Sequence, residues 1–353
     1  MIKRKLTKII NIGGVKVGGQ EPISVQSMTK TDTKDVDRTV RQIHVLTDTG
    51  CEIVRLALVD EEALEAFSEI KKRVKIPLVA DIHFDYRIAM GALRAGADCI
   101  RINPGNIGTR DKIEKIVYEA KAREIPIRIG INSGSIEKDI LKKYGHSTPE
   151  AMVASVLRHI EIMEELNFYS LKLSLKSSDV MDTVKAYRLI SSKSDYPLHL
   201  GITEAGTTLS GTVKSSIGLG ILLSEGIGDT IRVSLTAPPE EEVLVGYEIL
   251  RSLGLRKKGI EIISCPTCGR CKVNLFSLVK EIKEKTNHLE KSLVVAIMGC
   301  IVNGPGEARE ADLGIACGRG SGVIFRKGEI YKKIKEEEMA EVLLEEILSM
   351  AGE

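Results

Sequence analysis

The amino-acid sequence predicts a (β/α)8 TIM-like barrel that is followed by a smaller α+β domain. Short apolar runs alternate with amphipathic segments eight times over about 230 residues, which matches the usual size of this barrel. No Gly-x-Gly-x-x-Gly turn follows a strand, so the barrel is favoured over a doubly wound sheet. The Gly- and Lys-rich stretch 254–259 then separates a barrel domain, residues 1–254, from a second domain, residues 260–353.

The eight barrel strands are predicted from runs rich in Val, Ile and Leu, which are typical of parallel strands buried on both faces. They cover residues 22–28, 52–59, 77–83, 99–104, 126–132, 170–176, 197–203 and 229–236. Each run precedes a segment with apolar residues at helical spacing, such as Val36, Val40 and Ile43 in the first. These helices cover residues 32–48, 61–74, 86–95, 111–124, 151–166, 179–191, 212–224 and 240–253.

The second domain is predicted from a different pattern of short strands and two helices. The strands cover residues 261–264, 292–298, 311–316 and 322–326. One helix begins near Asn274, and the other covers residues 336–350 with an apolar face. This order indicates an α+β domain of about 95 residues.

The composition is that of an ordinary globular enzyme and argues against two classes of partner. With 51 basic and 49 acidic residues, the net charge is only +2, and aromatic residues make up 4% without any Trp. We therefore expect no nucleic-acid binding. The longest apolar run, residues 293–302, is too short to span a bilayer, so we expect no membrane association. With no signal-peptide pattern, a cytoplasmic location is expected.

Polar side chains occupy the carboxyl-terminal ends of the barrel strands, where the active site of this fold lies. Many are two residues apart and therefore share a face of their strand. Charges within apolar strands are costly unless they are paired or bind a ligand. Arginine suits phosphate oxygens, so the array predicts a multiply anionic ligand. The alternative is that these cations form salt bridges to Asp81, to Glu204 or to residues on the helices of the outer layer. The set is Arg55, Asp81, His83, Arg101, Asn103, Arg128, Asn132, Lys172, Ser174, Lys176, His199, Glu204, Arg232 and Ser234.

Two of these residues are candidates for proton transfer. Glu204 lies between glycines just beyond the seventh strand and could act as a general acid, although it could equally cap the following helix. His83 could donate to a phosphate or an alkoxide, or it could be a structural histidine.

The cysteines predict a metal or cluster site in the second domain. Five of the seven follow residue 264, and Cys265 and Cys268 form a Cys-x-x-Cys pair that Cys300 follows after 31 residues. Zinc ribbons and iron–sulfur sites both use such ligands. Cys51 and Cys99, in contrast, are expected to be buried small hydrophobes.

The fourth ligand of this site is open on spacing alone. Cys317 would give four thiolates, and Cys271 competes with Cys300 by extending the run to Cys-x-x-Cys-x-x-Cys. Glu307 follows the turn 303–306 and would give three thiolates and one carboxylate. A hard oxygen ligand matches such a site weakly, so a substrate oxygen could displace it.

Four stretches together resemble bacterial 4-hydroxy-3-methylbut-2-en-1-yl diphosphate synthases. They are Cys-Pro-Thr-Cys-Gly-Arg at 265–270, Gly-Cys-Ile-Val-Asn-Gly-Pro-Gly-Glu at 299–307, Leu-His-Leu-Gly-Ile-Thr-Glu-Ala-Gly at 198–206, and the run 219–234. The resemblance covers nearly the whole chain. It is to the short two-domain form, without the extra central domain of plant-type members.

The resemblance implies a barrel joined to a sulfite-reductase-like domain that carries a [4Fe–4S] cluster. It implies reduction of 2-C-methyl-D-erythritol 2,4-cyclodiphosphate to 4-hydroxy-3-methylbut-2-enyl diphosphate in non-mevalonate isoprenoid biosynthesis. The reaction is a two-electron ring opening with loss of water, supplied by flavodoxin or ferredoxin. It also implies a homodimer in which the cluster domain of one subunit caps the barrel of its partner.

The same resemblance implies roles for individual residues. The cluster ligands would be Cys265, Cys268, Cys300 and Glu307, and Cys271 would not be a ligand. Glu204 would be the acid, with Asp81 and His83 nearby. The substrate contacts would be Arg55, Arg101, Asn103, Arg128, Asn132, Lys176, Arg232 and Ser234.

Two other functions are compatible with parts of the pattern. A lysine-dependent aldolase could use Lys176 for a Schiff base, with a structural zinc ribbon after the barrel. An iron–sulfur redox sensor without turnover would explain the cysteines, but it would not need a barrel lined with arginines.

Overall fold

The protein is described by a computed structural model that covers residues 2–257, 259–289, 291–300 and 308–352. The chain divides into two compact units, Met1–Arg256 and Lys257–Glu353. The first contains an eight-stranded parallel sheet and the second a five-stranded mixed sheet. The predicted fold class, a barrel followed by a smaller α+β domain, is confirmed.

The strands of the first unit comprise a short hairpin and the eight strands of the barrel. They are β1 (Ile10–Ile12), β2 (Val15–Val17), β3 (Ser24–Met28), β4 (Ile53–Ala57), β5 (Leu78–Asp81), β6 (Cys99–Ile102), β7 (Ile127–Asn132), β8 (Leu171–Lys176), β9 (His199–Leu200) and β10 (Thr230–Ile231). The order from β3 to β8 is sequential, and β10 lies between β3 and β9. A parallel bridge between Leu173 and Leu198 joins β8 to β9, so the sheet closes on itself.

The helices follow the strands as the βα alternation requires. They are α1 (Val36–Asp48), α2 (Glu61–Arg73), α3 (Tyr86–Arg94), α4 (Pro104–Ile107), α5 (Arg110–Ala122), α6 (Lys138–Tyr144), α7 (Pro149–Glu165), α8 (Val180–Lys193), α9 (Thr208–Ser224) and α10 (Pro239–Ser252). The short helices α4 and α6 were not predicted, and α6 lies within the insert after the fifth barrel strand.

Aspartate side chains set the first residue of several barrel helices. The carboxylate of Asp35 accepts a hydrogen bond from the Arg38 amide at 3.0 Å, and that of Asp60 accepts one from the Ala63 amide at 2.9 Å. Asp179 caps α8 in the same way. Because such caps satisfy amides that have no partner inside the helix, α1 begins at Val36 and not at residue 32, where the pattern placed it.

Alternating side chains of the barrel strands divide between two environments. Val54, Ile100 and Ile129 belong to the large apolar core that the strands share with the helices. Their neighbours Arg55 and Arg101 are also buried but point to the other side of the strand, into the barrel. The inner face of this barrel is therefore largely polar.

The hairpin of β1 and β2 closes the amino-terminal end of the barrel and was not predicted. Its apolar side chains Ile10, Ile12 and Val17 form a buried cluster with Ile53, Val79 and Cys99 at the start of three barrel strands. Gly13 and Gly14 make the turn with φ values of 56° and 98°, which glycine adopts without strain.

The second unit is a mixed sheet with two helices. Its elements are β11 (Ile260–Ser264), α11 (Leu275–Thr286), β12 (Leu293–Met298), β13 (Leu313–Gly318), β14 (Ser321–Arg326), β15 (Glu329–Lys335) and α12 (Met339–Ala351). The first three strands are parallel, and β13, β14 and β15 are antiparallel. The unpredicted strand β15 is an exposed, lysine-rich edge, a composition that hinders pairing with other chains. Within the described residues, no helix combines the length and apolarity needed to cross a bilayer.

Candidate active site

A cavity of about 80 Å³ lies at the carboxyl-terminal end of the barrel strands. Nine of its ten lining residues come from the sequence-predicted set, and the tenth is Thr203. The lining residues are Arg55, Asp81, His83, Arg101, Arg128, Asn132, Lys176, Thr203, Arg232 and Ser234. The barrel thus brings side chains on, or just beyond, seven of its eight strands to one place, as the strand-end pattern predicts.

Asp81 is the carboxylate at the centre of this cavity. Its Oδ1 lies 3.2 Å from Arg101 Nη1, and its Oδ2 lies 3.6 Å from Arg55 Nε. Burial alone would raise the pKa of the Asp81 carboxyl, but Arg55, His83 and Arg101 outweigh it and hold that pKa well below its usual range. Asp81 is therefore ionised and orients two guanidinium groups.

Close packing fixes the direction of the cationic side chains. The Nη2 of Arg101 donates to the carbonyl of Gly130 at 3.0 Å, and its Nη1 lies 3.0 Å from His83 Nε2. A Cβ at position 130 would stand only 2.4 Å from Arg101 Nε. Glycine at position 201 leaves room in the same way for Lys176 Nζ, which would be 2.4 Å from a Cβ there. The lack of a side chain at positions 130 and 201 therefore leaves space for the two cationic groups.

Glu242 is a site residue that the sequence analysis missed. It is buried on α10, where its Oε1 lies 2.9 Å from Lys30 Nζ and its Oε2 lies 3.8 Å from Arg232 Nε. Oε1 also accepts a hydrogen bond from the Leu235 amide at 3.0 Å. Glu242 falls in an acidic run at 240–242 that looks solvated. The available signal was its helical spacing from the buried residues Gly246 and Ile249.

Two predicted residues lie beside the cavity and not in its lining. Asn103 is buried, and it links two loops by accepting from the Gly105 amide at 3.1 Å and donating to the Ser135 carbonyl at 2.9 Å. Glu204 is exposed on the loop between β9 and α9, and its φ of 51° is left-handed. Such a backbone costs a non-glycine residue about 1 kcal/mol or more, and such strain tends to occur at functional sites.

The second unit contains a separate cavity of about 110 Å³ that three thiols line. The lining residues are Cys265, Pro266, Thr267, Cys268, Arg270, Met298 and Cys300. Cys265 Sγ accepts a hydrogen bond from the Gly299 amide at 3.3 Å. A hydrogen bond from the Arg270 backbone lowers the pKa of the exposed Cys268 thiol. The lowered pKa of Cys268 favours its thiolate, which is the form that binds metals.

The two competing cysteines are not among the residues that line this cavity. Cys271 packs against the apolar core of the second unit, and its Sγ lies 3.4 Å from the Val273 carbonyl. Cys317 is fully buried in β13, where burial raises the pKa of its thiol to about 12. Glu307, the predicted carboxylate ligand, lies outside the described residues.

The donor set of this cavity fits an iron–sulfur cluster. Cysteine thiolates are the ligands that such clusters use, and three of them converge here. In the described part of the chain, no three His, Cys, Asp or Glu side chains are close enough together to hold one metal ion. A cluster spreads its ligands over several iron atoms, so it needs a wider spacing than a single ion does.

Comparisons with known proteins cover both units. The family model described as the GcpE TIM-barrel domain matches residues 7–247, and the GcpE protein C-terminal domain matches residues 261–349. A 4-hydroxy-3-methylbut-2-en-1-yl diphosphate synthase (flavodoxin) from Caldanaerobacter subterraneus is 60% identical over 100% of both chains. The enzyme of the same name from Thermodesulfovibrio yellowstonii is 59% identical over 98% of this chain and 99% of its own.

Solved structures with similar folds are more distant in sequence. A dihydropteroate synthase from Stenotrophomonas maltophilia matches with a TM-score of 0.52 at 13% identity, over 70% of this chain and 97% of its own. An N-acetylneuraminic acid synthetase from Leptospira borgpetersenii matches with a TM-score of 0.52 at 13% identity, over 80% and 98%. At this identity the likeness concerns the fold alone. Two matched domain models and relatives about 60% identical along the whole chain show that this chain belongs to the GcpE family.

Proposed function

We propose that this protein is a 4-hydroxy-3-methylbut-2-en-1-yl diphosphate synthase of non-mevalonate isoprenoid biosynthesis. The observation that supports it most is one chain with both a cation-lined barrel cavity and a cavity lined by three thiols. A diphosphate needs the first, and an electron-transfer cluster needs the second. The aldolase and redox-sensor alternatives draw no support from the family or from the names of its members.

The proposed reaction balances with one proton. The cyclic diphosphate dianion takes up two electrons and one proton and gives water and a product with three negative charges. One ring C–O bond to phosphate breaks, and a hydroxyl leaves as water. The site must therefore neutralise a growing negative charge, and the surplus of cations around Asp81 suits that need.

The barrel residues would bind, orient and protonate the substrate. Arg55 and Arg101 are held by Asp81, so their guanidinium groups are preorganised for phosphate oxygens. Asn103 positions the loops beside them. Glu204 and His83, which are both exposed, are the candidates for proton transfer. The remaining substrate contacts would be Arg128, Asn132, Lys176, Arg232 and Ser234.

We propose a [4Fe–4S] cluster held by Cys265, Cys268 and Cys300, with Glu307 as the fourth ligand. When bound, such a cluster supplies single-electron transfer and an iron that can act as a Lewis acid. Arg270 lies beside Cys268 and Cys300, and its positive charge favours the thiolate form of Cys268. Flavodoxin is the proposed electron donor because it appears in the names of the relatives, and ferredoxin is the alternative.

Two further parts of the proposal concern assembly and location. A homodimer in which each cluster domain caps the barrel of the partner would bring a cluster to each substrate. We propose a cytoplasmic enzyme with neither nucleic acid nor membrane as a partner.

Alanine substitution of single cysteines tests the cluster site. Cys265→Ala, Cys268→Ala and Cys300→Ala should each abolish turnover with a chemical reductant and lower the iron and sulfide content of anaerobically purified protein. Cys271→Ala and Cys317→Ala are matched controls, because these thiols face the core, and should keep the cluster. A colourless protein that contains only zinc would refute the proposal.

Glu307→Ala tests the fourth ligand. It should keep the fold and impair either cluster binding or turnover, as iron analysis and activity would show. Unchanged activity with an intact cluster would remove Glu307 from the mechanism.

A further inference from the structure

The inner face of the barrel holds a large excess of buried positive charge. Two carboxylates, Asp81 and Glu242, lie within ion-pair distance of three of these cations. Asp229, at the start of β10, pairs instead with Arg4 at 3.2 Å. The six cationic side chains are Arg55, Arg101, Arg128, Lys172, Lys176 and Arg232. Like charges that share a site of low dielectric constant destabilise one another, so this barrel is short of negative charge.

Two amines in this set lack a carboxylate partner. Lys172 is fully buried, and its Nζ has no hydrogen-bond partner among the described residues. It lies on β8 directly opposite Arg128 of β7 in the strand register, one level below the cavity. Lys176, at the end of β8, lines the cavity, and no carboxylate of the described residues comes within 4.0 Å of its Nζ.

The groups that face Lys176 are all positive, whereas Lys172 faces two arginines, a thiol and one carboxyl group. Around Lys172 they are Cys99 on β6, Arg128 on β7, Arg55 on β4 and Asp229 before β10. Around Lys176 they are Arg128, Arg232, Arg55 and Arg101. His199 on β9 shares this environment and is neutral, because burial and the same cations hold its pKa well below the usual value. Its Nδ1 lies 3.0 Å from Thr230 Oγ1, and its Nε2 has no hydrogen-bond partner among the described residues.

The same surroundings make the two amines easy to deprotonate in the free enzyme. Burial lowers the pKa of Lys172 to about 8, and Arg128 adds to this shift. Burial followed by repulsion from Arg128 holds the pKa of Lys176 well below its usual value. Negative charge entering the cavity favours the ammonium form of both residues and therefore raises both pKa values.

We propose that the amines of Lys172 and Lys176 take up protons when the cyclic diphosphate enters the barrel, so that substrate binding is coupled to proton uptake. The inference rests on the proposed function, because it takes this cavity as the diphosphate site. Lys172 would be a positioning residue that does not touch the substrate, and Lys176 would contact it. A proton gained on binding is then in the barrel when the reaction, which consumes one, begins.

Calorimetry on the oxidised holoenzyme without an electron donor tests this coupling. The substrate is titrated anaerobically at pH 7, 8 and 9, in buffers of different ionisation enthalpy, so that the number of protons taken up can be counted. Each phosphoryl group of the cyclic substrate carries a single, strongly acidic proton, so the ligand itself does not titrate in this range. Lys172 alone should contribute about 0.5 proton at pH 8 and about 0.9 at pH 9, as follows from its pKa of about 8.

The possible results distinguish the proton coupling from the assignment of the diphosphate site. Binding with no proton uptake at pH 8 and 9 would overturn the coupling and leave the proposed function intact. No binding of the cyclic diphosphate at any pH would overturn the site assignment, and the coupling with it.

The Lys172→Met variant tests whether Lys172 takes up a proton when the substrate binds. This variant keeps an unbranched side chain, one atom shorter than lysine, and removes the amine. In the native protein, deprotonation of Lys172 should weaken the affinity for the cyclic diphosphate about fivefold between pH 8 and 9. The Lys172→Met variant should lose that part of the pH dependence. Lys185→Met, on the exposed side of α8, is the matched control and should behave as the native protein does. A Lys172→Met variant with the native proton count would overturn the assignment. Should it fail to fold, the proton count of the native protein decides.

Discussion

Replacing Gly130 with alanine would test whether packing against β7 places the Arg101 guanidinium. The new Cβ would lie 2.4 Å from Arg101 Nε, 3.1 Å from Nη2 and 3.2 Å from Cζ. Real Cβ contacts are longer than the first of these distances, so the guanidinium has to move. Its movement would disturb the hydrogen bond to the Gly130 carbonyl and the ion pair with Asp81.

The magnitude of this effect follows from two contributions. Overpacking a tight interior costs about 1–3 kcal/mol of unfolding free energy, which a domain stabilised by about 5–15 kcal/mol survives. If Arg101 binds the diphosphate as proposed, its displacement would also remove a charged hydrogen bond worth about 1.5–3 kcal/mol. The affinity for the cyclic substrate should therefore fall about 10- to 150-fold.

The assay is substrate binding to the oxidised enzyme, with urea unfolding measured in parallel. Gly134→Ala is the matched control, because a Cβ there meets no atom within 4 Å, and both its affinity and its stability should stay close to native. If Gly130→Ala bound the substrate with native affinity, Arg101 would not depend on this packing and its role as a phosphate contact would be in doubt.

Two further predictions concern buried carboxylates. Glu242→Ala removes the partner of Lys30 and Arg232 and should lower the unfolding free energy by about 3–5 kcal/mol in urea, whereas a loss below about 1 kcal/mol would contradict its anchoring role. Burial raises the pKa of Glu137, but hydrogen bonds from His159 and Ser155 prevail and lower it to about 2. This depressed pKa contributes about 3 kcal/mol of stability, which is present above pH 4.5 and lost as the pH falls towards 2. Glu137→Gln should flatten the acid limb of a stability–pH curve, and a limb parallel to the native one would refute the assignment.

The barrel could be predicted from the sequence because each of its units repeats the same local signal. Each apolar run is followed by a segment with apolar residues at helical spacing. This pattern is present even in the units of β9 and β10, whose strands are only two residues long. The hairpin of β1 and β2 has no such signal, because three-residue strands show no periodicity. Its burial depends on Ile53, Val79 and Cys99, which meet only once the barrel has closed.

The site shows the same division between local and tertiary information. Polar residues two apart at strand ends could be placed on one face by the pleat alone, and nine residues of the predicted set do line the cavity. The choice among cysteines could not be made that way, since it depends on which thiols turn into the core, as Cys271 and Cys317 do. Glu242 was missed because an acidic helix start is usually solvated.

The hairpin that seals the amino-terminal end also has a kinetic consequence. Because the hairpin closes that end, a ligand both enters and leaves through the carboxyl-terminal end of the barrel. Product and substrate then use the same opening, and the product must dissociate before the next substrate molecule can bind. The extra negative charge of the product would slow its dissociation, because the cations of the cavity attract the product more strongly than the substrate.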